Sequence, residues 1–187
     1  PIVTDLRQKF HAPVVLENDA ALAGLGEATA GAGRGHDVVV YMTIRTGVGG
    51  IRIVDRQIDR STFGFEPGDM IVGEEFRKPR TLENLISGLS LSRRYHRPAE
   101  QINDRVIWRA VERSLAYGLV NLTVLWSPEI IILGGGVGRS SHLKLKNVRA
   151  TFRRNLHVFH IPPRVVRGTL GDKAGLYGAL ALAKKIW

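Results

Sequence analysis

Residues 129–138 read EIIILGGGVG. Three isoleucines and a leucine in succession leave no polar face, and three glycines follow at once. The run reads as a fully apolar strand passing straight into a glycine loop. Glycine lets a backbone approach a ligand closely and present N–H groups to anionic oxygens. Two other stretches share the pattern. RTGVGG (45–50) follows the apolar run VVVYM, and TLGDKAG (169–175) precedes a small-residue helix. Glycines also make turns, so RTGVGG can equally be the bend of a hairpin. Together the three clusters suggest a nucleotide cleft. It is neither the G-x-G-x-x-G dinucleotide fold nor a Walker loop, since no G-K-[ST] occurs.

The rest of the chain alternates strands and helices, which sets an α/β class. APVVLEN (12–18) reads as a buried strand and DAALAGLGEATAG (19–31) as a helix after it. VVVYMTI (38–44) and VGGIRIV (48–54) read as a hairpin across RTG, and DRQIDRS (55–61) turns the chain again. PGDMIVGEE (67–75) reads as a short strand with a loop, and EEFRKPR (74–80) as loop. TLENLISGLSLSRRY (81–95) reads as one helix with Thr81 at its N-cap and Asn84 at N3. A long helix is expected over 102–126, where Ile107, Val111, Leu115, Leu119 and Leu122 keep helical spacing until Ser127-Pro128 ends it. LKLKNVRATFRRNL (143–156) reads as a basic helix, PPRVVRGTL (162–170) as containing a short strand, and 171–187 as a helix closing on Lys184 and Lys185.

With no cysteine in the chain, disulfides and Cys-ligated metal sites are excluded. His157 and His160 sit in the basic stretch RRNLHVFH and read as surface histidines rather than ligands. The net charge of +10, from 27 Lys and Arg against 17 Asp and Glu, favours anionic partners. Arg105, Arg109 and Arg113 form one helical stripe, and Lys146, Arg149 and Arg153 another. No aromatic stacking surface accompanies them, so they read as solvated helix faces and nucleic acid is not the expected partner. No apolar run approaches the roughly 20 residues of a membrane span. The chain opens PIVTDL, without Met or a signal-peptide pattern. We expect a cytoplasmic protein, and a segment of a longer one.

Asp19 follows Asn18 at the junction between LEN and the helix. An Asp there can simply cap the helix. It can also be a general base aimed across strand ends, where α/β ligands bind. Glu66, Asp69 and Glu83 would then be its company around a polyol, because carboxylates accept from sugar hydroxyls.

The order LENDA, YMTIRTGVGG, FGFEPGD, TLENLISG, PEIIILGGGV, LGDKAGLYGA resembles the ROK family of sugar kinases and sugar-responsive repressors, and is glucokinase-like. The resemblance runs from about residue 2 to the C-terminus. It implies an actin/hexokinase-like ATPase fold of the ribonuclease H-like type, with ATP and sugar between two α/β lobes. On that basis residues 1–33 would end the N-terminal lobe, 34–173 would form the C-terminal lobe, and 174–187 would be a helix returning toward the first. The resemblance assigns Asp19 as the catalytic base that takes a proton from a sugar hydroxyl during attack on the γ-phosphate of ATP. It gives Asn18, Glu66, Asp69 and Glu83 to the sugar. Thr46 and Gly47 go to a phosphate loop, and Gly134, Gly135 and Gly136 to the adenosine side. It implies Mg2+ with ATP, a hexose-type sugar, and an oligomer such as a homodimer.

Three departures qualify the transfer. The family's zinc-binding cysteines are absent and Asp69 stands for a histidine, so no zinc is expected. Arg45 replaces the first glycine of the family's G-T-G and could pair with a phosphate, fill the site or point away. The family's N-terminal acidic-Gly-Gly-Thr motif has no counterpart, so the chain alone is expected to be inactive. The alternatives are a sugar-sensing repressor, whose DNA-binding module would precede residue 1, and a degenerate, non-catalytic relative.

Overall fold

A computed structural model describes residues 2–75 and 77–186. Its main sheet uses β1 (Val38–Ile44), β2 (Val48–Val54), β3 (Gln57–Ile58), β6 (Ile130–Gly134) and β7 (Arg164–Arg167) in the order β3-β2-β1-β6-β7. β1 runs antiparallel to β2 and parallel to β6, and β7 continues parallel on the far side. Between β3 and β6 in sequence, β4 (Ile71–Glu75) and β5 (Lys78–Thr81) form a separate antiparallel hairpin.

The apolar strands explain the layers. Along β1, Val39 and Tyr41 face one side while Val40, Met42 and Ile44 face the other. In β6, Ile130 and Ile132 oppose Ile131 and Leu133 in the same way. Both faces are covered by helices, so neither strand needs a polar face.

The helices are α1 (Ile2–Phe10), α2 (Asp19–Ala30), α3 (Leu82–Ile86), α4 (Gly88–Tyr95), α5 (Arg105–Trp126), α6 (Gly135–Arg139), α7 (Leu145–Asn155) and α8 (Ala174–Ile186). α2 and α8 pack together on one face of the sheet. Their small residues let the backbones touch: a methyl group at Gly178 would strike the Leu22 carbonyl, and one at Gly26 the Ala174 carbonyl. α5 crosses the other face, burying Val111, Leu115, Leu119 and Leu122 with α3 and α7. Truncating one such leucine to alanine costs about 2–5 kcal/mol. Among the described residues no helix is long and apolar enough to cross a membrane.

The basic stripes are only partly solvated. Arg105 donates to the His142 carbonyl (2.8 Å) and to Glu112 (3.1 Å). Glu112 is buried in α5 and also accepts from the Lys144 N–H (2.8 Å) and Asn147 Nδ2 (2.7 Å), so it fastens the start of α7. Arg149 Nε donates to the Val165 carbonyl at 2.7 Å. Arg109, Arg113, Lys146 and Arg153 remain exposed, as do His157 and His160.

Three local expectations are corrected. Residues 13–18 run without strand pairing and expose Val15 and Leu16, because among the described residues no strand lies alongside to complete a ladder. Residues 81–95 form two helices, broken at the buried Ser87, whose hydroxyl accepts from the Ser90 N–H at 3.1 Å. The Thr81–Asn84 capping box is present as expected. EEFRKPR belongs to the β4–β5 hairpin rather than a loop, with Glu75 paired to Arg80 (2.6 Å) and Arg94 (3.3 Å); Phe76 lies outside the described residues.

Candidate active site

The parallel strands β1 and β6 end side by side, with Thr43 opposite Gly134. A cleft of about 1150 Å³ opens beyond them. All three glycine clusters reach it: the β1–β2 turn, the β6–α6 junction, and residues 168–175, which lead into α8.

The β1–β2 turn is a hairpin bend and also a wall of the cleft. Ile44 pairs with Val48, leaving Arg45, Thr46 and Gly47 as the loop. The Arg45 N–H donates to the Gly47 carbonyl at 2.9 Å. Outside the loop, the Gly88 N–H donates to the Arg45 carbonyl (2.6 Å) and the Leu89 N–H to that of Thr46 (3.1 Å). This docking of the first turn of α4 breaks the 81–95 segment in two. The Val48 N–H donates to Glu83 Oε2 at 2.8 Å.

The β6–α6 junction is glycine for two different reasons. At Gly134 a methyl group would collide with the Tyr41 hydroxyl. Gly135 has φ +76°, where a side chain is strained, and a methyl would strike the Ile44 carbonyl. A methyl group added at Gly136 would meet nothing within 4 Å.

At the start of α2, Asn18 takes the capping role that the sequence left open for Asp19. Its Oδ1 accepts from the N–H groups of Ala20 (2.9 Å) and Ala21 (3.2 Å). Asp19 is the first residue of α2; its Oδ1 accepts from the Ala20 N–H at 2.8 Å and the side chain is exposed to the cleft. Glu66 and Glu83 line the same space. Glu66 precedes a 3-10 turn, Pro67–Asp69, whose Gly68 is wedged against the Val48 carbonyl. Phe65 anchors that segment edge-on to Trp126, with ring centres 4.9 Å apart. Thus Asn18, Asp19, Glu66, Glu83, Thr46, Gly47 and Gly134–Gly136 share one cleft. Asp69 does not line it; it sits exposed at the far end of the 3-10 turn.

Three cleft residues had escaped the sequence reading. Glu27 is buried in α2, where it accepts from the Leu170 N–H (2.8 Å), the Ala32 N–H (2.9 Å) and the Thr169 hydroxyl (3.3 Å). It fixes the loop before α8. A lone acid in the small, otherwise uncharged interior of DAALAGLGEATA was the available signal. Tyr41 lies at the cleft floor, and burial pushes its phenol up. The Thr43 hydroxyl and the Arg139 and Arg45 charges oppose that rise, while Glu27 adds to it. Arg139 lines the cleft at the end of α6, and no motif marked it. Among the described residues no three His, Cys, Asp or Glu side chains gather as a metal site. The cleft therefore brings carboxylates and an amide, suited to a polyol, together with glycine loops and two arginines, suited to an anion.

Known proteins share the family pattern and the fold. The profile of the ROK family matches residues 1–186. A fructokinase from Pediococcus pentosaceus is 30% identical over 193 residues, covering 96% of this chain and 67% of that protein. The ROK hexokinase from Thermus thermophilus superposes with a TM-score of 0.86 at 29% identity, covering 100% of this chain and 71% of that one. A ROK glucokinase from Streptomyces griseus, solved with glucose and AMPPNP, gives 0.78 at 30% identity over 99% and 72% of the two chains. A ROK transcriptional regulator, a homologue of the E. coli MLC protein, shares the fold at 19% identity and TM-score 0.75, over 98% and 57% of the chains. The chain spans 64%, 67% and 71% of three curated relatives it matches. With the mixed sheet expected of an actin/hexokinase-like ATPase in place and the family profile matching almost end to end, this chain belongs to the ROK family.

Proposed function

We propose that this chain carries the sugar-facing wall and part of the nucleotide site of an ATP-dependent kinase for a hexose or N-acetylhexosamine. The observation that supports it most is the convergence of Asp19 and three glycine clusters on one cleft. Asp19 acts as general base: it takes the proton of a sugar hydroxyl while that oxygen attacks the γ-phosphorus and the bond to the ADP oxygen breaks. Its position suits the task, because Asn18 does the capping and leaves the Asp19 carboxylate facing the cleft. Asn18 has its Oδ1 committed to the helix, so its Nδ2 is the group offered to sugar. Glu66 and the second oxygen of Glu83 accept sugar hydroxyls. Thr46, Gly47 and Gly134–Gly136 hold the nucleotide. Magnesium is part of the nucleotide substrate, since this ion takes one or two carboxylates plus phosphate oxygens rather than an all-protein cage. Phosphoryl transfer of this kind is positioning and charge stabilisation, which such a cleft supplies.

The test is sugar-dependent ADP release by the intact protein that contains this chain, across a panel of hexoses and N-acetylhexosamines, beside Asp19→Asn. Turnover with one sugar should fall about 10²–10⁴-fold in the variant. Unchanged turnover would place the base elsewhere. Because the chain spans about two thirds of its relatives, we infer that these 187 residues alone turn over no ATP. ADP release by the chain alone would refute that. A second reading, a degenerate, non-catalytic relative, draws support from Arg45 in the loop and Asp69 outside the cleft. It predicts no MgATP binding even in the intact protein.

A further inference from the structure

The arginines that build the fold have partners. Arg52 and Asp59 form an ion pair, and Arg52 Nε donates to the Trp126 carbonyl (3.0 Å). Arg105 and Arg149 are held as described above, and Arg167 donates to the carbonyls of Ser140 (2.9 Å) and Leu143 (2.7 Å). Arg45 and Arg139 differ. Among the described residues neither guanidinium has a hydrogen-bond or ion-pair partner, yet both line the cleft rather than an outer helix face.

Each spans two glycine clusters. Arg45 belongs to the β1–β2 turn and lays its stem over Gly135, where an added methyl group would fall 2.7 Å from Arg45 Cγ. Arg139 belongs to α6 and lies over Gly171, where an added methyl would fall 2.8 Å from Nη1 and 3.3 Å from Cζ and Nη2. The backbone of Arg45 is bonded on both sides, which fixes the direction of its side chain. Both cations act on the Tyr41 hydroxyl at the cleft floor.

The carboxylates that share the cleft, Asp172 and Glu66 among them, form no ion pair with either arginine among the described residues. Glu83 is bonded to the Val48 N–H, Glu27 to the loop before α8, and Asp19 to the Ala20 N–H. With neither guanidinium ion-paired among the described residues, both are left available to an external anion in the cleft. Guanidinium forks match phosphate oxygens bidentately.

We propose that Arg45 and Arg139 form a two-point clamp on the phosphate chain of the phosphoryl donor, so that tripolyphosphate without a nucleoside is enough to occupy it. The inference rests on reading the cleft as a phosphoryl-transfer site. It makes Arg45 a working part of the loop rather than a plug.

The test is calorimetric titration of the 187-residue chain with MgATP and with inorganic tripolyphosphate, without sugar. Arg45→Gln and Arg139→Gln should each weaken both ligands about tenfold, the loss of one charge-assisted contact, with the thermal midpoint unchanged. Arg45→Lys keeps the charge but loses the fork, so it should weaken binding less than Arg45→Gln does, which guards against a folding artefact. Three results would overturn the clamp: wild-type chain that binds neither ligand, glutamine variants that bind as wild type does, or Arg45→Gly that binds more tightly. Binding as expected in a protein that phosphorylates no sugar would leave the clamp standing and remove the kinase reading. A working kinase whose variants bind normally would remove the clamp alone.

Discussion

Glu83 Oε2 accepts a hydrogen bond from the Val48 N–H at 2.8 Å, so a carboxylate expected to face sugar also holds the glycine loop. The closeness explains Gly47, where an added methyl would fall 2.7 Å from the same oxygen. Glu83→Ala should orphan the Val48 N–H and cost about 1–3 kcal/mol in urea denaturation. Glu83→Gln, which keeps an acceptor oxygen, should cost less. If Glu83→Ala lost sugar binding with no change in stability or in nucleotide affinity, the bracing role would be wrong.

The two neighbouring glycines Gly135 and Gly136 should behave oppositely. Gly135 has φ +76° and faces the Ile44 carbonyl, so Gly135→Ala should destabilise by about 1–3 kcal/mol or more. Gly136 meets nothing within 4 Å, so Gly136→Ala should leave thermal stability level or slightly raised. Its effect should fall on nucleotide affinity alone, because the added methyl occupies the cleft. A Gly136→Ala protein that binds MgATP as wild type does would separate this glycine from the nucleotide.

What could be read in the sequence was what local pattern decides. EIIILGGG has no polar face, and it became the buried strand β6 running into the cleft. The 3.6-residue spacing from Ile107 to Leu122 became α5, and the RTG bend became a true hairpin. The failures have tertiary causes. VVLEN has strand composition but no partner strand beside it among the described residues. The break at Ser87 comes from the Gly88 N–H reaching the Arg45 carbonyl, 43 residues earlier in the chain (88 − 45). β5 contains Pro79 and three polar residues, and pairing with β4 outweighs their weak strand preference. In the cleft, the motif glycines and Asp19 were legible, whereas Glu27 acts on Leu170 across a sequence separation of 143 residues.

That separation makes Glu27 a sensitive probe. It is 1% exposed, and it satisfies the N–H groups of Ala32 and Leu170 together with the Thr169 hydroxyl. Glu27→Ala should cost about 1–3 kcal/mol for each donor it orphans. Hydrogen exchange should show the Leu170 amide losing protection well before the amides of β6. Uniform loss across the sheet would mean that Glu27 supports the whole core rather than the loop before α8.

Tyr41 gives the fold an alkaline limit. Its phenol is raised above the ordinary 10.0, first by burial, so the folded protein holds this proton over a range where the unfolded chain has released it. In that range the native state binds more protons than the unfolded state, and stability must fall as pH rises. The contribution is fully present below pH 10.0 and is lost as pH climbs through the raised folded value. Tyr41→Phe removes the ionisation and should flatten the part of the stability curve above pH 10.0 relative to wild type, while the curves run parallel between pH 6 and 9. The measurement is urea denaturation at half-unit steps of pH. If the alkaline slopes of the two proteins coincide, the hydroxyl at the cleft floor titrates as freely in the folded chain as in the unfolded one, and burial against Gly134 does not govern it.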